Sequence, residues 1–136
     1  MRTRSFLLAL FAPLALALAA CDGGGDGTGA ATEGGEYIAA LLSPNGPEGA
    51  AMLELTGTGV EEVTAASATL FRQPVTGGQR LMLIRDAPGR VEFRVRMAAG
   101  SAPPTVRVVQ VVDGDDNVRA STDGYEVTFT RTRGDR

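Results

Sequence analysis

The sequence predicts an all-β fold, an antiparallel β-sandwich of about seven to nine strands that follows an N-terminal signal and a glycine-rich linker. No window of the 136-residue chain keeps the apolar period of 3.6 residues that marks an amphipathic helix. Apolar and polar residues instead alternate over several short runs, as they do in strands with one buried face. Clusters of glycine, proline, asparagine and aspartate separate these runs and favour turns. Closely spaced strands without helices favour two packed antiparallel sheets.

Two runs show the alternation most clearly. In RVEFRVRM (90–97), every second residue from Val91 is apolar and the residues between are charged, which predicts one buried and one solvated face. The solvated face carries Arg94 and Arg96, for which we expect cross-strand glutamate partners. The run YEVTFTRT (125–132) repeats the pattern. Its predicted inward residues are Tyr125, Val127 and Phe129.

The remaining strands are predicted from less regular runs. TVRVVQVVD (105–113) is rich in β-branched residues and nearly continuous, which predicts a more central strand. Five weaker candidates are EYIAALL, GAAMLELTG, VEEVTAA, ATLFRQ and RLMLIR. Because aromatic residues are few and tryptophan is absent, we expect a core of valine, leucine, alanine and methionine.

The first 20 residues have the features of an export signal. Arg2 and Arg4 precede an apolar run at 6–20, which is shorter than the roughly 20 apolar residues of a typical membrane-spanning helix. A basic start, a short apolar stretch and small residues before a cleavage site are typical of a signal peptide. We therefore expect residues 1–20 to be removed during export.

The residues around the only cysteine resemble the lipobox of bacterial lipoproteins. Leu18 stands three positions before Cys21, and two alanines lie between them. The resemblance implies that a signal peptidase cuts before Cys21, which then carries a thioether-linked diacylglycerol, usually with a further acyl chain on its new amino terminus. Two or more acyl chains give stable anchoring. The implied partner is therefore a membrane, and the implied location is the cell envelope.

Residues 21–35 form a predicted tether, and residues 36–136 form the predicted folded domain. Seven of the 14 residues from Asp22 to Gly35 are glycine, and none has a large apolar side chain that could offset the entropy of ordering. A glycine-rich coil of this length spans roughly 20 Å. We expect the tether to hold the domain away from the membrane.

The folded part resembles cohesin-like and carbohydrate-binding-module-like β-sandwiches, which share the immunoglobulin-like architecture. The resemblance is carried by a strand at Gly89–Met97, a β-branched strand at Val106–Val112 and an aspartate- and asparagine-rich turn at Asp113–Asn117. It implies a fold that binds proteins or glycans. It transfers no binding residue, because no functional motif matches residue by residue.

The composition excludes the common catalytic constellations. The sequence has no histidine and no lysine, and a lipidated Cys21 offers no free thiol. Ser–His–Asp, Cys–His and Ser–Lys arrangements are therefore unavailable, as are zinc sites of cysteine and histidine. Without Arg2 and Arg4, 11 basic residues face 16 acidic ones, a net side-chain charge of −5 that disfavours nucleic acid as a partner. We predict a protein that is not an enzyme and holds no cofactor beyond its lipid.

Two acidic groups could still carry chemistry. Glu61 and Glu62 are adjacent on a predicted strand, so we expect them to be exposed, to face opposite sides and not to cooperate. Asp113, Asp115 and Asn117 offer closely spaced oxygens of the kind that calcium prefers. The same residues are typical of a polar hairpin turn, so both interpretations remain open.

The sequence favours a binding module over an enzyme. We expect a membrane-anchored envelope lipoprotein whose sandwich binds a protein or a glycan through a sheet face or the loops at one end. The alternative is a structural accessory subunit of an envelope secretion or assembly complex, whose sheet edge pairs with a partner strand. An enzyme that uses two carboxylates is the third hypothesis.

Overall fold

The computed structural model describes residues 34–133, which form eight β-strands and no helix. The strands are β1 (Gly35–Leu42), β2 (Glu48–Thr56), β3 (Val60–Thr64), β4 (Thr69–Val75), β5 (Gly78–Gly89), β6 (Glu92–Met97), β7 (Thr105–Asp113) and β8 (Glu126–Arg131). Their number lies within the predicted seven to nine. In this part of the chain, no helix has the length and hydropathy needed to cross a membrane.

The strands form two four-stranded sheets that pack face to face. Sheet A has the strand order β3-β6-β1-β8, and sheet B has the order β4-β5-β2-β7. All strand pairs within both sheets are antiparallel. A single cluster of buried apolar residues draws on both sheets and forms the core between them. The prediction of an antiparallel β-sandwich is therefore confirmed.

The core follows from the alternation in the strands. In β6, Phe93 and Val95 are 1% and 0% exposed, whereas the arginine after each of them faces solvent. In sheet B, Leu53, Leu81 and Leu83 are completely buried. Burial of each such side chain stabilises the fold by about 1.5–3 kcal/mol. Aliphatic side chains dominate the core, as expected, and Phe93 is the largest of its fully buried residues.

The prediction that residues 105–113 form a central strand was wrong, because β7 lies at the edge of sheet B and pairs with β2. One face of β7 packs on the core, with Val111 fully buried, while the other face contributes to the outer surface of the sheet. The following turn covers part of the free edge. The backbone N–H of Asp113 donates a hydrogen bond to the carbonyl oxygen of Asn117 at 2.9 Å. The backbone N–H of Arg119 donates one to the carbonyl oxygen of Val111 at 2.8 Å.

The described structure begins close to the predicted domain boundary. Strand β1 starts at Gly35, one residue before the predicted start at residue 36. Cys21, the signal peptide and the tether up to residue 33 lie outside the described residues. Signal peptide, lipidation and tether therefore remain predictions.

Candidate functional site

The outer face of sheet B carries two neighbouring rows of apolar side chains across its strands. Strand register aligns the two rows and makes them continuous. We call this surface the apolar band; its members are Phe71, Met82, Met52, Ile84, Ala50 and Val112. Phe71 is 56% exposed, Ile84 42% and Met82 37%. A shallow depression of about 300 Å³ lies along its centre.

The band exists because three strands of sheet B carry apolar residues at both their inward-facing and their outward-facing positions. In β2, Leu53 points into the core and Met52 points out; in β5, Leu81 is buried and Met82 is exposed. Strands with this pattern are usually covered on both faces. Within residues 34–133, the outer face has no such cover, as the exposure of its side chains shows.

A charged row borders one end of the band. Strand register aligns Arg80, Glu54 and Arg107 across β5, β2 and β7. Glu54 accepts hydrogen bonds from Arg80, with Nε at 3.1 Å from Oε1, and from Nη2 of Arg107 at Oε2. These hydrogen bonds, first from Arg80 and then from Arg107, lower the pKa of the Glu54 carboxyl. With two guanidinium groups and one carboxylate, the row has a net positive charge.

Acidic side chains border the other end. Asp86 is exposed and follows Ile84 in the stretch 85–88 of β5, which has no pairing partner in β2 or β4. Asp115 and Asp116 lie in the turn after β7, and Asp116 lines the depression beside the apolar band. The three carboxylates make no hydrogen bond or ion pair with any described residue. The band therefore separates a basic end of the face from an acidic end.

The three residues predicted as calcium ligands lie together in this turn. Oδ1 of Asp113 accepts the amide N–H groups of Asp115 and Asn117, both at 2.9 Å. The hydrogen bonds from Asn117 and Asp115 lower the pKa of the Asp113 carboxyl. The contacts are those of the polar turn. No group of three or more Asp, Glu, His or Cys side chains in the described part is arranged to hold a metal, and calcium binding by this turn stays a prediction.

The outer face of sheet A carries arginines that pair with glutamates of neighbouring strands, together with the exposed Leu42 at the end of β1. Arg94 Nη1 lies 2.7 Å from Glu36 Oε1, so the predicted cross-strand pairing is confirmed. Arg96 pairs with two carboxylates, Glu61 at 3.3 Å and Glu62 at 3.0 Å. The prediction that these two glutamates face opposite sides was wrong, because a β-bulge where β3 pairs with β6 interrupts the alternation.

A buried polar network closes one end of the sandwich. Glu48 is 1% exposed, and its Oε1 accepts hydrogen bonds from Ser43 and Tyr125, each at 2.6 Å. Its Oε2 accepts a hydrogen bond from Nε of Arg119 at 3.1 Å, and this hydrogen bond raises the pKa of the Arg119 guanidinium. Both oxygens of the Glu48 carboxylate accept hydrogen bonds. Because the donors lie in the β1–β2 turn and in the segment before β8, the network connects these two segments. Its role is structural.

The free edge of β4 is a poor template for strand addition. Pro74 lies within β4 and lacks the backbone N–H that an added strand would need. A groove of about 520 Å³ opens between the sheets nearby, lined partly by Gly57, Gly59 and Arg72. Arg72 makes no hydrogen bond or ion pair to residues 34–133. The groove is open, but the edge beside it does not favour a partner strand.

Comparisons with protein-family models, curated proteins and solved structures find no match for this chain. The site therefore rests on geometry. The sequence predicts binding through a sheet face or the loops and does not identify the residues of the apolar band. A usable signal was present: adjacent apolar pairs occur at 52–53, 70–71 and 82–83 in three neighbouring strands.

Proposed function

We propose that this protein is a lipid-anchored cell-envelope lipoprotein whose β-sandwich binds a partner protein through the apolar band. The observation that supports this most strongly is the exposure of Phe71, Met82 and Ile84 on one sheet face, opposite a face whose Arg94 and Arg96 are already paired. Contiguous exposed apolar surface with a polar rim is typical of protein interaction sites. Binding requires contact and no chemistry from the chain.

The composition of the apolar band favours a protein over a glycan. Sugar hydroxyl groups need several hydrogen-bond partners in addition to an aromatic platform. The band has one aromatic ring, Phe71, while Met52, Met82 and Ile84 offer aliphatic and thioether surface. Methionine side chains adapt to the shape of a protein partner.

The accessory-subunit role uses the same surface and differs in the lifetime of the complex. An accessory subunit would stay bound at fixed stoichiometry through purification, whereas a binding module would exchange. Pairing through the edge strand β4 is the less favoured route, because Pro74 interrupts the donors of that strand. Co-purification of a stoichiometric partner would therefore assign the accessory role.

Detergent phase partitioning tests the anchor. We expect the exported wild-type chain to enter the detergent phase, and the chain from residue 21 with Cys21→Ser to remain in the aqueous phase, because the acyl chains supply the membrane affinity. Equal partitioning of the two would contradict lipidation at Cys21.

Site-specific photo-cross-linking tests the binding face. A photoreactive residue replaces Met82 on the apolar band or, as the matched control, Arg94 on sheet A, and the labelled protein is incubated with envelope extract. We expect protein adducts from position 82 and few from position 94. Added Phe71→Ser in the same chain should reduce the adducts from position 82. Equal adduct yields from the two faces would overturn the proposal.

A further inference from the structure

We propose that the apolar band is the interface of a homodimer, in which a second copy of the chain packs face to face on sheet B. The two-fold axis lies in the interface and runs across the strands. This inference rests on the proposed function, since it names the protein that the band binds. The homodimer is supported by the position of one apolar surface between a basic end and an acidic end of the same face.

The two ends of this face are complementary in charge. At one end, Arg80 and Arg107 share the single carboxylate of Glu54, so one positive charge is left over. At the other end, Asp86 and Asp116 have no partner among the described residues. A two-fold axis across the strands reverses strand direction but keeps each strand opposite its own copy. The basic end of one subunit then lies over the acidic end of the other.

Chain order places the opposite charges on the two sides of the apolar rows. Arg80 and Asp86 belong to the same strand, β5, on opposite sides of the apolar rows. Arg107 lies in β7, and Asp116 lies in the turn that follows β7. The axis therefore brings Arg80 opposite Asp86 of the second copy, and Arg107 opposite Asp116. An axis parallel to the strands would place like charges together instead.

Side-chain size is also complementary under this axis. Side chains of one row lie about 6.6–6.8 Å along the strand from those of the next row. An axis between the two apolar rows places each row over the other row of the second copy. Large residues then lie over small ones in two strands: Phe71 over Thr69 in β4, and Met52 over Ala50 in β2. Stacked sheets interdigitate in this way at a spacing of about 10 Å.

The size of the face fits a weak and reversible dimer. Four strands at about 4.8 Å and four rows of side chains cover roughly 400–500 Å² of sheet plane per subunit. Standard protein interfaces bury about 800 Å² per partner, and smaller ones are usually transient. A lipid anchor raises the local concentration of the subunits and favours such an encounter at the membrane.

A charge-swap experiment tests the dimer and its axis. The chain from residue 21 is prepared with Cys21→Ser, which removes the lipid and leaves the described strands intact. Arg80→Glu and Asp86→Arg are introduced in separate samples, and self-association is measured by sedimentation equilibrium. Each variant alone places like charges opposite each other at two symmetric positions, so we expect its dimer Kd to rise at least about tenfold.

An equimolar mixture of the two variants gives the decisive result. In the mixed dimer, Glu at position 80 of one chain faces Arg at position 86 of the other, and the second pair is the native one. We expect the mixture to associate with a Kd close to that of wild type. A mixture no tighter than the single variants would overturn the proposed axis. Thermal melts of each variant establish that both remain folded.

The outcome also separates this inference from the proposed function. If the wild-type chain stays monomeric up to about 1 mM, its dimer Kd lies above the range of specific association. That result would overturn the homodimer. If position 82 still cross-links envelope proteins in that case, the proposed binding face stands with a different partner. If position 82 yields neither self-adducts nor other protein adducts, both proposals fail.

Discussion

The two outer faces of the sandwich differ in how far their exposed side chains have partners within the chain. On sheet A, Arg94 and Arg96 pair with glutamates of the neighbouring strands at 2.7–3.3 Å, and Leu42, at 44%, is the most exposed large apolar side chain. On sheet B, the apolar band exposes Phe71 and Ile84 between two ends of opposite charge. Sheet A therefore exposes mainly paired charges, whereas the strands of sheet B, which carry apolar residues at both inward-facing and outward-facing positions, leave a contiguous apolar surface uncovered. The uncovered face is the one that gains free energy from a partner.

The largest expected effect is a difference in the free energy of unfolding between substitutions on the inner and outer sides of sheet B. Leu53→Ala removes a fully buried side chain from the core and should lower the free energy of unfolding by about 2–5 kcal/mol. Met52→Ala, one residue away on the outer face, should cost less than about 1 kcal/mol, because the band does not hold the sandwich together. Urea denaturation measures both. Equal losses would show that the band serves the fold rather than a partner.

A smaller effect concerns the paired charges of sheet A. Arg96→Ala removes the ion pairs with Glu61 and Glu62, and exposed pairs of this kind contribute less than about 1 kcal/mol each. The difference from wild type should shrink as salt rises, since these groups lie in solvent. Denaturation at 0.05 M and 1 M salt checks this. A loss independent of salt would mean that Arg96 acts through packing.

The smallest effect concerns acid stability at the basic end of the apolar band. The pKa of Glu54 is lowered in the folded protein, chiefly by Arg80 and then Arg107. A lowered folded pKa contributes stability that is present above the ordinary value of 4.5 and is lost as pH falls through the folded pKa. Glu54→Gln should therefore be less stable than wild type at pH 7, and the difference should narrow towards pH 3. Thermal melts across this range measure it, and a constant difference would contradict the assignment.

The sequence allowed prediction of the sandwich because alternation reports directly on one-sided burial. The run at 90–97 gave both the buried face and the paired arginines, since its two phases differ sharply in polarity. The run at 105–113 misled, because an edge strand with one face in the core and the other on an apolar surface looks like a central strand. The glutamates at 61 and 62 misled because a β-bulge depends on pairing and leaves no local signature.

The candidate site was less predictable than the fold. Its residues are ordinary strand residues, and only the strand order β4-β5-β2-β7 brings Phe71, Met82 and Met52 into one row. Sequence spacing does not encode that order. The basic and acidic ends follow from the tertiary structure, in which register places Arg80 and Arg107 on one side of the row and the turn after β7 places Asp116 beside the other.

Methionine oxidation tests most directly whether the apolar band is covered in the envelope, and it needs no substitution. Met82 is 37% exposed in the isolated chain, whereas Met97 is 3% exposed in the core and serves as the internal reference. Brief peroxide treatment is applied to dilute purified protein and to intact envelopes, and sulfoxide at each methionine is measured by mass spectrometry. We expect oxidation of Met82 to be several-fold slower in envelopes, with Met97 slow in both samples. Equal rates at Met82 in the two samples would contradict the claim that this face binds a partner.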